Sequence, residues 1–300
     1  MSICLAPIVV FAFNRLDALK NTIESLKTNA EAAKSNLFIF VDGHRADKEG
    51  EAEKVRAVQE YVKTIKGFRN VTWRFAVKNK GLAASVISGT TEVIEKYDKV
   101  IVVEDDLIFS ENFLSFMNQG LKHYEHESKV FSICGYSNKI EVPAYYHYDA
   151  YFCTRSSSWG WATWKDRWNS VDWNLEDWDS YRHHARSFNR WGGSDCWKML
   201  NDWHNGRNKS WAIRFCFSQF LQNRWSLFPL KILVENNGFD GLGTNCKKWS
   251  RFKCEVDYSG QKTFKWPNEI VVNRTLHKEA MRYHSIGIRV WSKLMYWINR

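Results

Sequence analysis

Four short apolar runs, separated by amphipathic stretches, constrain the fold of this chain more than any other feature. The runs cover residues 7–13, 37–41, 71–77 and 100–103. The runs at 7–13, 37–41 and 100–103 are unbroken, which is typical of strands that are buried on both faces of a sheet, whereas residues 71–77 include Thr72 and Arg74. Between the runs, apolar residues recur at helical spacing. Strands that alternate with helices in this way predict an α/β fold with a mostly parallel central sheet and flanking helices.

Tryptophan crowds the second half of the chain. The sequence has 16 Trp among 300 residues, and most of them lie between residues 145 and 211. We interpret this part as short helices and strands that pack on the same sheet, with a minority of the tryptophans facing a ligand cleft. The chain is therefore divided into a first half (1–135), a Trp-rich half of the same domain (136–270) and a C-terminal segment (271–300).

The composition is that of a globular protein. Hydrophobic residues make up 44% and charged residues 25% of the chain, which excludes extended disorder. No run reaches the roughly 18 apolar residues that span a bilayer, and the apolar start lacks the basic segment and cleavage site of a signal peptide. The seven cysteines include no CxxC pair, so we expect reduced thiols and a cytoplasmic protein.

Positive charge is concentrated at the C-terminal end. The net charge is +10, and residues 271–300 contain six basic residues against one acidic residue, which suggests an anionic partner. Residues 287–300 predict an amphipathic helix with Trp291, Leu294 and Ile298 on one face and Arg289, Lys293 and Arg300 on the other. Such a helix is typical of docking on an anionic membrane surface. Alternatively, its apolar stripe packs on the domain or on a second subunit.

Three consecutive acidic residues, Glu104, Asp105 and Asp106, directly follow the fourth apolar run. Carboxylates buried so close together repel one another and lose hydration, unless a cation or hydrogen-bond donors neutralise them. In open α/β sheets, ligands bind beyond the carboxyl ends of the strands. Carboxylates and the diphosphate of a ligand together suit Mg²⁺ or Mn²⁺. The alternative is an ordinary acidic turn before a helix that is capped by Ser110.

Four segments occur in an order and at spacings that resemble the nucleotide-sugar-binding half of GT-A fold glycosyltransferases. They are PIVVFAFNR, FIFVDG, NKGLAASVISGT and KVIVVEDDLIFSENFLSFM. The resemblance is to bacterial family-2-like enzymes and, through the EDD form of the DxD motif, to the N-acetylglucosaminyltransferase I enzymes. It covers residues 5–120 and continues loosely through 156–164 and 236–245. It implies a Rossmann-like GT-A sheet whose first half binds the nucleotide sugar and whose second half binds the acceptor.

The resemblance also implies roles for residues at the ends of the first strands. Arg15 and Asp42 would flank the nucleotide base, and Asn79 and Lys80 would lie beside the base or the phosphates. A carboxylate can accept a hydrogen bond from a base, and a cation offsets phosphate charge. The ordinary alternatives are that Arg15 is a solvated residue at a helix start and that Asp42 belongs to a turn with Gly43.

The acidic triplet receives its roles from the same resemblance. Glu104 and Asp105 would contact the ribose and the donor sugar, and Asp106 would bind Mn²⁺ or Mg²⁺ through the diphosphate. His277 and His284 are ordinary histidines or, as in some of these enzymes, a late metal or phosphate ligand.

An inverting transferase also needs a carboxylate base to deprotonate the acceptor hydroxyl. The stretch that matches the family's base segment, residues 210–215, contains no acid, so this sequence departs from the family's pattern there. We name Asp195 and Asp240 as candidates, with helix caps or turn residues as the alternative, and a retaining mechanism stays open. Trp159 and Trp161 resemble the aromatic segment that borders the acceptor site, where tryptophan faces stack on sugars.

Together these features predict a metal-dependent glycosyltransferase, either hexosyl or N-acetylhexosaminyl. It would take a nucleoside diphosphate sugar, with a UDP-sugar favoured, and act on a hydroxyl of a glycan or lipid-linked glycan such as an O-antigen or capsule precursor. We expect it on the inner face of the cytoplasmic membrane as a peripheral protein. The alternatives are a basic, aromatic nucleic-acid-binding protein and a non-catalytic carbohydrate-binding module. Because acidic strand ends repel phosphates in the absence of a metal, we expect no nucleic-acid partner.

Overall fold

A computed structural model describes residues 5–238, 252 and 254–298. Its strands are β1 (Ile8–Ala12), β2 (Asn36–Val41), β3 (Asn70–Phe75), β4 (Lys99–Glu104), β5 (Leu107–Phe109), β6 (Val130–Cys134), β7 (Ala150–Cys153), β8 (Trp161–Trp164), β9 (Trp225–Pro229) and β10 (Val234–Asn236). Its α-helices are α1 (Leu16–Lys27), α2 (Glu51–Thr64), α3 (Leu82–Tyr97), α4 (Phe113–His123), α5 (Lys165–Asn169), α6 (Trp178–Tyr181), α7 (Ala185–Gly192), α8 (Cys196–His204), α9 (Trp211–Leu221), α10 (Arg274–Arg282) and α11 (Ile286–Ile298).

One large sheet runs through both halves of the described chain and confirms the predicted α/β architecture. Its strand order is β3-β2-β1-β4-β8-β6-β9-β7, and β8 and β7 run antiparallel to the other six strands. The carboxyl ends of β1, β2 and β4 therefore lie at one edge of the sheet. A separate ribbon pairs β5 with β10 in antiparallel fashion. The functional division at residues 135 and 270 stays a prediction.

The first strand is apolar throughout because both of its faces are covered. Ile8 and Val10 pack in the same buried cluster as α1, α2 and α4, whereas Val9 and Phe11 pack with α3 and α9. Successive side chains of a strand point to opposite faces, so alternate residues supply the two clusters. Packing on both faces thus holds β1 in place, and with it the residues that follow its carboxyl end.

The Trp-rich half extends the same sheet, as the sequence predicted. Strand β8 lies between β4 and β6, and most of its neighbouring tryptophans form the core beneath it. Trp161 lies 5.6 Å from Trp168 and 5.1 Å from Trp211, measured between ring centroids. Large aromatic side chains thus fill the space between the sheet and the helices of this half.

Two local predictions are wrong. Helix α4 begins at Phe113 with Asn112 at its cap position, so Ser110 is not the cap; its hydroxyl instead contacts Asn112 Oδ1 at 2.5 Å. Strand β3 ends at Phe75, before the predicted residue 77. Val77 is 90% exposed, so the predicted end of the strand lies in the loop that precedes α3.

The C-terminal segment forms the predicted helix but turns its apolar side to the solvent. In α11, Trp291 is 49% and Leu294 57% exposed, and Ile286 and Val290 are exposed beside them. Arg289 faces the protein, where its Nη1 donates to Ser194 Oγ at 2.9 Å. These side chains are therefore only partly covered by the rest of the described chain. Every helix of the described residues is too short or too polar to cross a membrane.

Candidate active site

The acidic triplet lies in a tight connection between two strands. Strand β4 ends at Glu104 and β5 begins at Leu107, so Asp105 and Asp106 form the link between them. The ribbon partner β10 fixes this link, because Asn237 N, just beyond β10, donates to Asp106 O at 2.8 Å. Only 5% of Asp105 and 6% of Asp106 is exposed. The two carboxylates are thus held at the carboxyl edge of the parallel strands, where the sequence predicted them.

Arg15 bridges the two buried carboxylates. Its Nη2 lies 2.8 Å from Asp105 Oδ1 and 2.9 Å from Asp106 Oδ2. Asp105 Oδ2 also accepts a hydrogen bond from Phe13 N at 3.1 Å. Arg15 occupies the cap position of α1, but its side chain points into the site. The alternative of a solvated residue at a helix start is therefore wrong, whereas the contact with a nucleotide base stays a prediction.

Arg15 does not compensate the negative charge of the triplet. Burial raises the pKa of Glu104 to about 8, and the Asp106 and Asp105 carboxylates add to this rise. Burial also raises the pKa of Asp105 to about 6 against the opposing effect of Arg15. These shifts mean that the site favours a further positive charge.

Two buried polar atoms of this cluster have no hydrogen-bond partner among the described residues: Asp106 Oδ1 and Arg15 Nη1. A buried acceptor without a partner is costly unless a ligand completes it. The described residues contain no group of three His, Cys, Asp or Glu side chains that could hold a metal by themselves. Any divalent ion here would therefore take one or two carboxylates and fill its shell from a ligand, which is the usual arrangement for Mg²⁺ with substrate phosphates.

The backbone at Gly238 packs directly against the Asp106 carboxylate and leaves no room for a side chain. A Cβ at this position would lie 2.4 Å from Asp106 Oδ2 and 3.0 Å from Asn236 Oδ1. Gly238 N donates to Asn236 Oδ1 at 2.8 Å, which draws the backbone close to the carboxylate. The sequence analysis did not single out Asn236 or Gly238, although the NNG run that contains them was the available signal.

Asp42 organises the loop that carries Asn79 and Lys80. Its Oδ1 accepts hydrogen bonds from the backbone N–H groups of Gly43 and Lys80, both at 2.9 Å. Its Oδ2 accepts from Gly81 N at 2.8 Å and from Asn79 Nδ2 at 3.2 Å. Both oxygens are thus engaged within the protein, and Lys80 is exposed beside them. In this structure, Asp42 holds the loop in place. A direct contact between Asp42 and a nucleotide base stays a prediction.

Gly43 allows the two loops at this edge to touch. A Cβ on Gly43 would lie 2.5 Å from the Lys78 carbonyl carbon and 2.9 Å from Asn79 N, closer than real Cβ atoms approach. Any larger residue would push the loop of Asn79 and Lys80 away from the end of β2.

Asp195 is paired with Arg155 rather than free. Arg155 Nη1 lies 2.7 Å from Asp195 Oδ1, and Nη2 lies 3.3 Å from Oδ2. Burial alone would raise the pKa of Asp195, but Arg155 overcomes this effect and holds it below its ordinary value. A carboxylate with a lowered pKa is a weak proton acceptor. The other candidate base, Asp240, lies outside the described residues.

The two tryptophans that were predicted to border an acceptor differ in burial. Trp161 is 1% exposed and lies in the core, so we correct that assignment: a stacking platform needs an open ring face. Trp159 is half-buried and lies 4.6 Å from the Tyr136 ring. Gly160 separates them in a left-handed conformation, with φ of 62°, which breaks the alternation of a strand and turns the two rings apart.

A cavity of about 280 Å³ adjoins Trp159. Its lining includes Tyr136, Arg155 and His284. Of these three, only His284 was a candidate site residue in the sequence. Arg155 and Asp195 are forty residues apart in the chain, and no local pattern connects them. His277, by contrast, is half-buried, with its Nε2 2.9 Å from Thr154 Oγ1, and this partial burial lowers its pKa. His277 is thus an ordinary histidine of the interior.

No family model matches the sequence, and no curated protein matches it. Among solved structures, the mannosyltransferase PcManGT from Pyrobaculum calidifontis, in complex with GDP-Man and Mn²⁺, is 11% identical with a TM-score of 0.36 over 55% of this chain and 48% of that chain. S. aureus TarS 1–349 is 9% identical with a TM-score of 0.42 over 78% and 61%. A further S. aureus TarS structure is 10% identical with a TM-score of 0.34 over 51% and 26%. The chain thus spans about half, three fifths and a quarter of these proteins. Likenesses this weak carry no argument about function, which rests on the site itself.

Proposed function

We propose that the chain is a metal-dependent glycosyltransferase. It transfers a hexosyl or N-acetylhexosaminyl group from a nucleoside diphosphate sugar, with a UDP-sugar favoured, to a hydroxyl of a cell-surface glycan precursor. The observation that carries this proposal is the buried, unpartnered Asp106 Oδ1 at the carboxyl edge of the sheet, beside acids whose charge Arg15 does not compensate. A cation with an anionic ligand satisfies both conditions at once.

Asp106 would hold the divalent ion, Mn²⁺ or Mg²⁺, through its free oxygen. When bound, such an ion neutralises the charge that develops on the departing nucleoside diphosphate. Arg15 keeps Asp106 oriented through Oδ2, and its unpartnered Nη1 remains able to donate to an oxygen of the donor. The backbone at Gly238 packs against Oδ2 of the Asp106 carboxylate.

The neighbouring residues would position the donor. We assign Glu104 and Asp105 to the ribose and the donor sugar, since their carboxylates lie beside Asp106 in the same link. Asp42 would position the loop of Asn79 and Lys80, and the exposed Lys80 ammonium would then approach the phosphates. Because Asp195 is engaged by Arg155, Asp240 is the preferred base.

The C-terminal helix α11 would dock the enzyme on an anionic membrane surface. Its exposed side carries Ile286, Val290, Trp291 and Leu294, with Lys293 exposed beside them. The only acid in residues 271–300 is Glu279, so the segment is cationic. Apolar residues that enter the interface and cations that meet headgroups are the two requirements for such docking.

A thermal-shift panel with UDP, GDP and CDP, each with and without Mn²⁺, tests the proposed reaction. We expect one nucleotide, UDP first, to raise the melting temperature only when the metal is present, because ligand and ion bind the folded state together. Asp106→Ala should abolish this shift, whereas the exposed Asp179→Ala, a matched control, should retain it. A nucleotide shift that is independent of the metal, or unchanged in Asp106→Ala, would contradict the proposal.

A further inference from the structure

Two buried thiols meet where helices α8 and α9 pack against each other. Cys196 is the first residue of α8, and Cys216 lies in the middle of α9. Both residues belong to the same buried cluster, with 0% of Cys196 and 4% of Cys216 exposed. The Cys196 thiol donates a hydrogen bond to the Cys216 sulfur. The proposed transfer reaction uses neither thiol, so the pair is free to serve another chemistry.

Cys216 is accessible from the cavity of about 280 Å³ that adjoins Trp159, because it forms part of the cavity wall. Met199, Ser210 and His284 also line this cavity and are half-buried, so the cavity reaches the protein surface. A space of this size holds several water molecules. A small polar solute can therefore reach the Cys216 side chain, although little of that residue is exposed.

The surroundings of the two sulfur atoms favour negative charge on one of them. Arg155 Nη1 donates to Cys196 Sγ at 3.5 Å as well as to Asp195 Oδ1 at 2.7 Å. The Cys216 sulfur accepts hydrogen bonds from both the backbone N–H and the hydroxyl of Ser156. Nearby cations and hydrogen-bond donors stabilise a thiolate, which is the reactive form of cysteine.

Cys216 differs in this respect from the other cysteines in the described part of the chain. The hydrogen bond from Cys196 lowers the pKa of the Cys216 thiol against the opposing effect of burial, and Arg155 and Ser156 lower it further. The same hydrogen bond raises the pKa of Cys196. Burial raises the pKa of Cys134 to about 12, of Cys153 to about 11 and of Cys254 to about 12. The pair thus combines one activated thiol with a second thiol in direct contact.

We propose that Cys196 and Cys216 form a redox-active dithiol, which hydroperoxides that enter through the cavity convert reversibly into a disulfide. This inference goes beyond the proposed transferase function and does not depend on it. Because the thiols already touch, a small movement brings the sulfur atoms to the S–S bond length of about 2 Å. In reducing surroundings the pair stays in the dithiol form and is oxidised only transiently.

The reaction has two steps. The Cys216 thiolate attacks one oxygen of the hydroperoxide and the O–O bond breaks. The leaving oxygen takes up the proton that Cys216 released, and Cys216 becomes a sulfenic acid. The Cys196 sulfur then attacks the Cys216 sulfur, the S–O bond breaks, and the departing hydroxide leaves as water with the Cys196 proton. The two thiols lose two electrons in total, and the hydroperoxide gains them.

Treatment of the folded full chain with hydrogen peroxide, followed by alkylation of the remaining thiols and peptide mapping, tests the proposal. We expect a crosslink between Cys196 and Cys216 that dithiothreitol reverses and that forms at least about tenfold faster than Cys134 or Cys153 is oxidised. Cys196→Ser should stop the reaction at a sulfenic acid on Cys216, which dimedone traps. Cys153→Ser removes another thiol of the same cavity wall, so it is the matched control and should crosslink like the unaltered chain.

No crosslink, a crosslink between another pair, or oxidation of all the described thiols at similar rates would overturn the inference. The same holds if Cys153→Ser prevents the crosslink or if Cys196→Ser yields no dimedone adduct on Cys216. The melting temperature of each reduced variant shows whether it folds. Should Cys196→Ser fail to fold, dimedone added to the unaltered chain during the reaction should compete with Cys196 and give the same adduct on Cys216, and its absence there would be equally decisive.

Discussion

Arg155 and Asp195 form a two-point ion pair, with Nη1 2.7 Å from Oδ1 and Nη2 3.3 Å from Oδ2. Their side chains are only 17% and 12% exposed. The pair joins the loop between β7 and β8, which carries Arg155, to Asp195 at the start of α8. Asp195 therefore acts as a fixed anion within the protein, and its contribution to stability is open to direct measurement.

Asp195→Asn should lower the free energy of unfolding at neutral pH by about 3 kcal/mol, because it leaves a buried guanidinium without its counter-ion. The pKa of Asp195 is lowered in the folded protein, so its stabilisation is complete above its unfolded pKa of about 4 and is lost as the pH falls through the folded value. Urea unfolding of the unaltered protein and of Asp195→Asn over a pH series measures the difference in their free energies of unfolding. The exposed Asp179→Asn is the control. A difference in unfolding free energy that stayed unchanged in acid would contradict the assignment of Asp195 as the counter-ion of Arg155.

Asp42→Asn should loosen the loop that carries Asn79 and Lys80. An amide in place of the carboxylate has one oxygen, so it cannot accept all four of the hydrogen bonds that Asp42 now accepts. We expect faster hydrogen exchange at the Lys80 and Gly81 amides, with the remaining sheet amides unchanged. Asp47→Asn, at an exposed position nearby, is the comparison. Unchanged exchange at both amides would show that the loop does not depend on Asp42.

Gly238→Ala should impair metal-dependent nucleotide binding without unfolding the protein. The added methyl would lie 2.4 Å from Asp106 Oδ2, so the carboxylate or the backbone must move. We expect the thermal shift with nucleotide and Mn²⁺ to shrink, while the melting temperature of the unliganded protein falls by only a few degrees. Gly287→Ala, where a Cβ meets nothing within 4 Å, is the control for an added methyl group. An unchanged shift would remove Gly238 from the site.

The double variant Trp291→Ala, Leu294→Ala should reduce binding to vesicles that contain anionic lipid. Both side chains are exposed on α11, so their removal costs membrane contact and little folding stability. Raised salt should weaken the binding of the unaltered chain, since the attraction of the basic segment is screened. Vesicle sedimentation measures both effects, with Trp73→Ala as the control. Undiminished sedimentation of the double variant would refute docking through this helix.

The sequence predicted the first half of the sheet well because its signals are local. Strands that are buried on both faces are apolar throughout, so β1, β2 and β4 could be predicted from their composition. In the helices between them, apolar residues recur at helical spacing. The acids at the end of β4 could be placed at the sheet edge for the same reason. Their surroundings could not, because the ribbon of β5 and β10 joins three-residue strands that are far apart in the chain.

The side-chain contacts of the second half escaped prediction because they are long-range. Trp159 and Trp161 were both predicted to border the acceptor site. The left-handed conformation of Gly160 instead leaves Trp159 beside the cavity and Trp161 in the core. The pairing of Arg155 with Asp195 leaves no trace in the local sequence. A residue's role here depends on which distant segment it meets.

The ribbon of β5 and β10 has a consequence for how the protein is made. Its strands come from early and late parts of the chain, and segments far apart in sequence close a large loop before they gain any contact. During synthesis, the acidic link must therefore wait for the residues around Gly238 to emerge. A chain interrupted before that point would carry the carboxylates without the backbone that packs against them, so the arrangement of Asp105 and Asp106 described here should form only once β10 has been made.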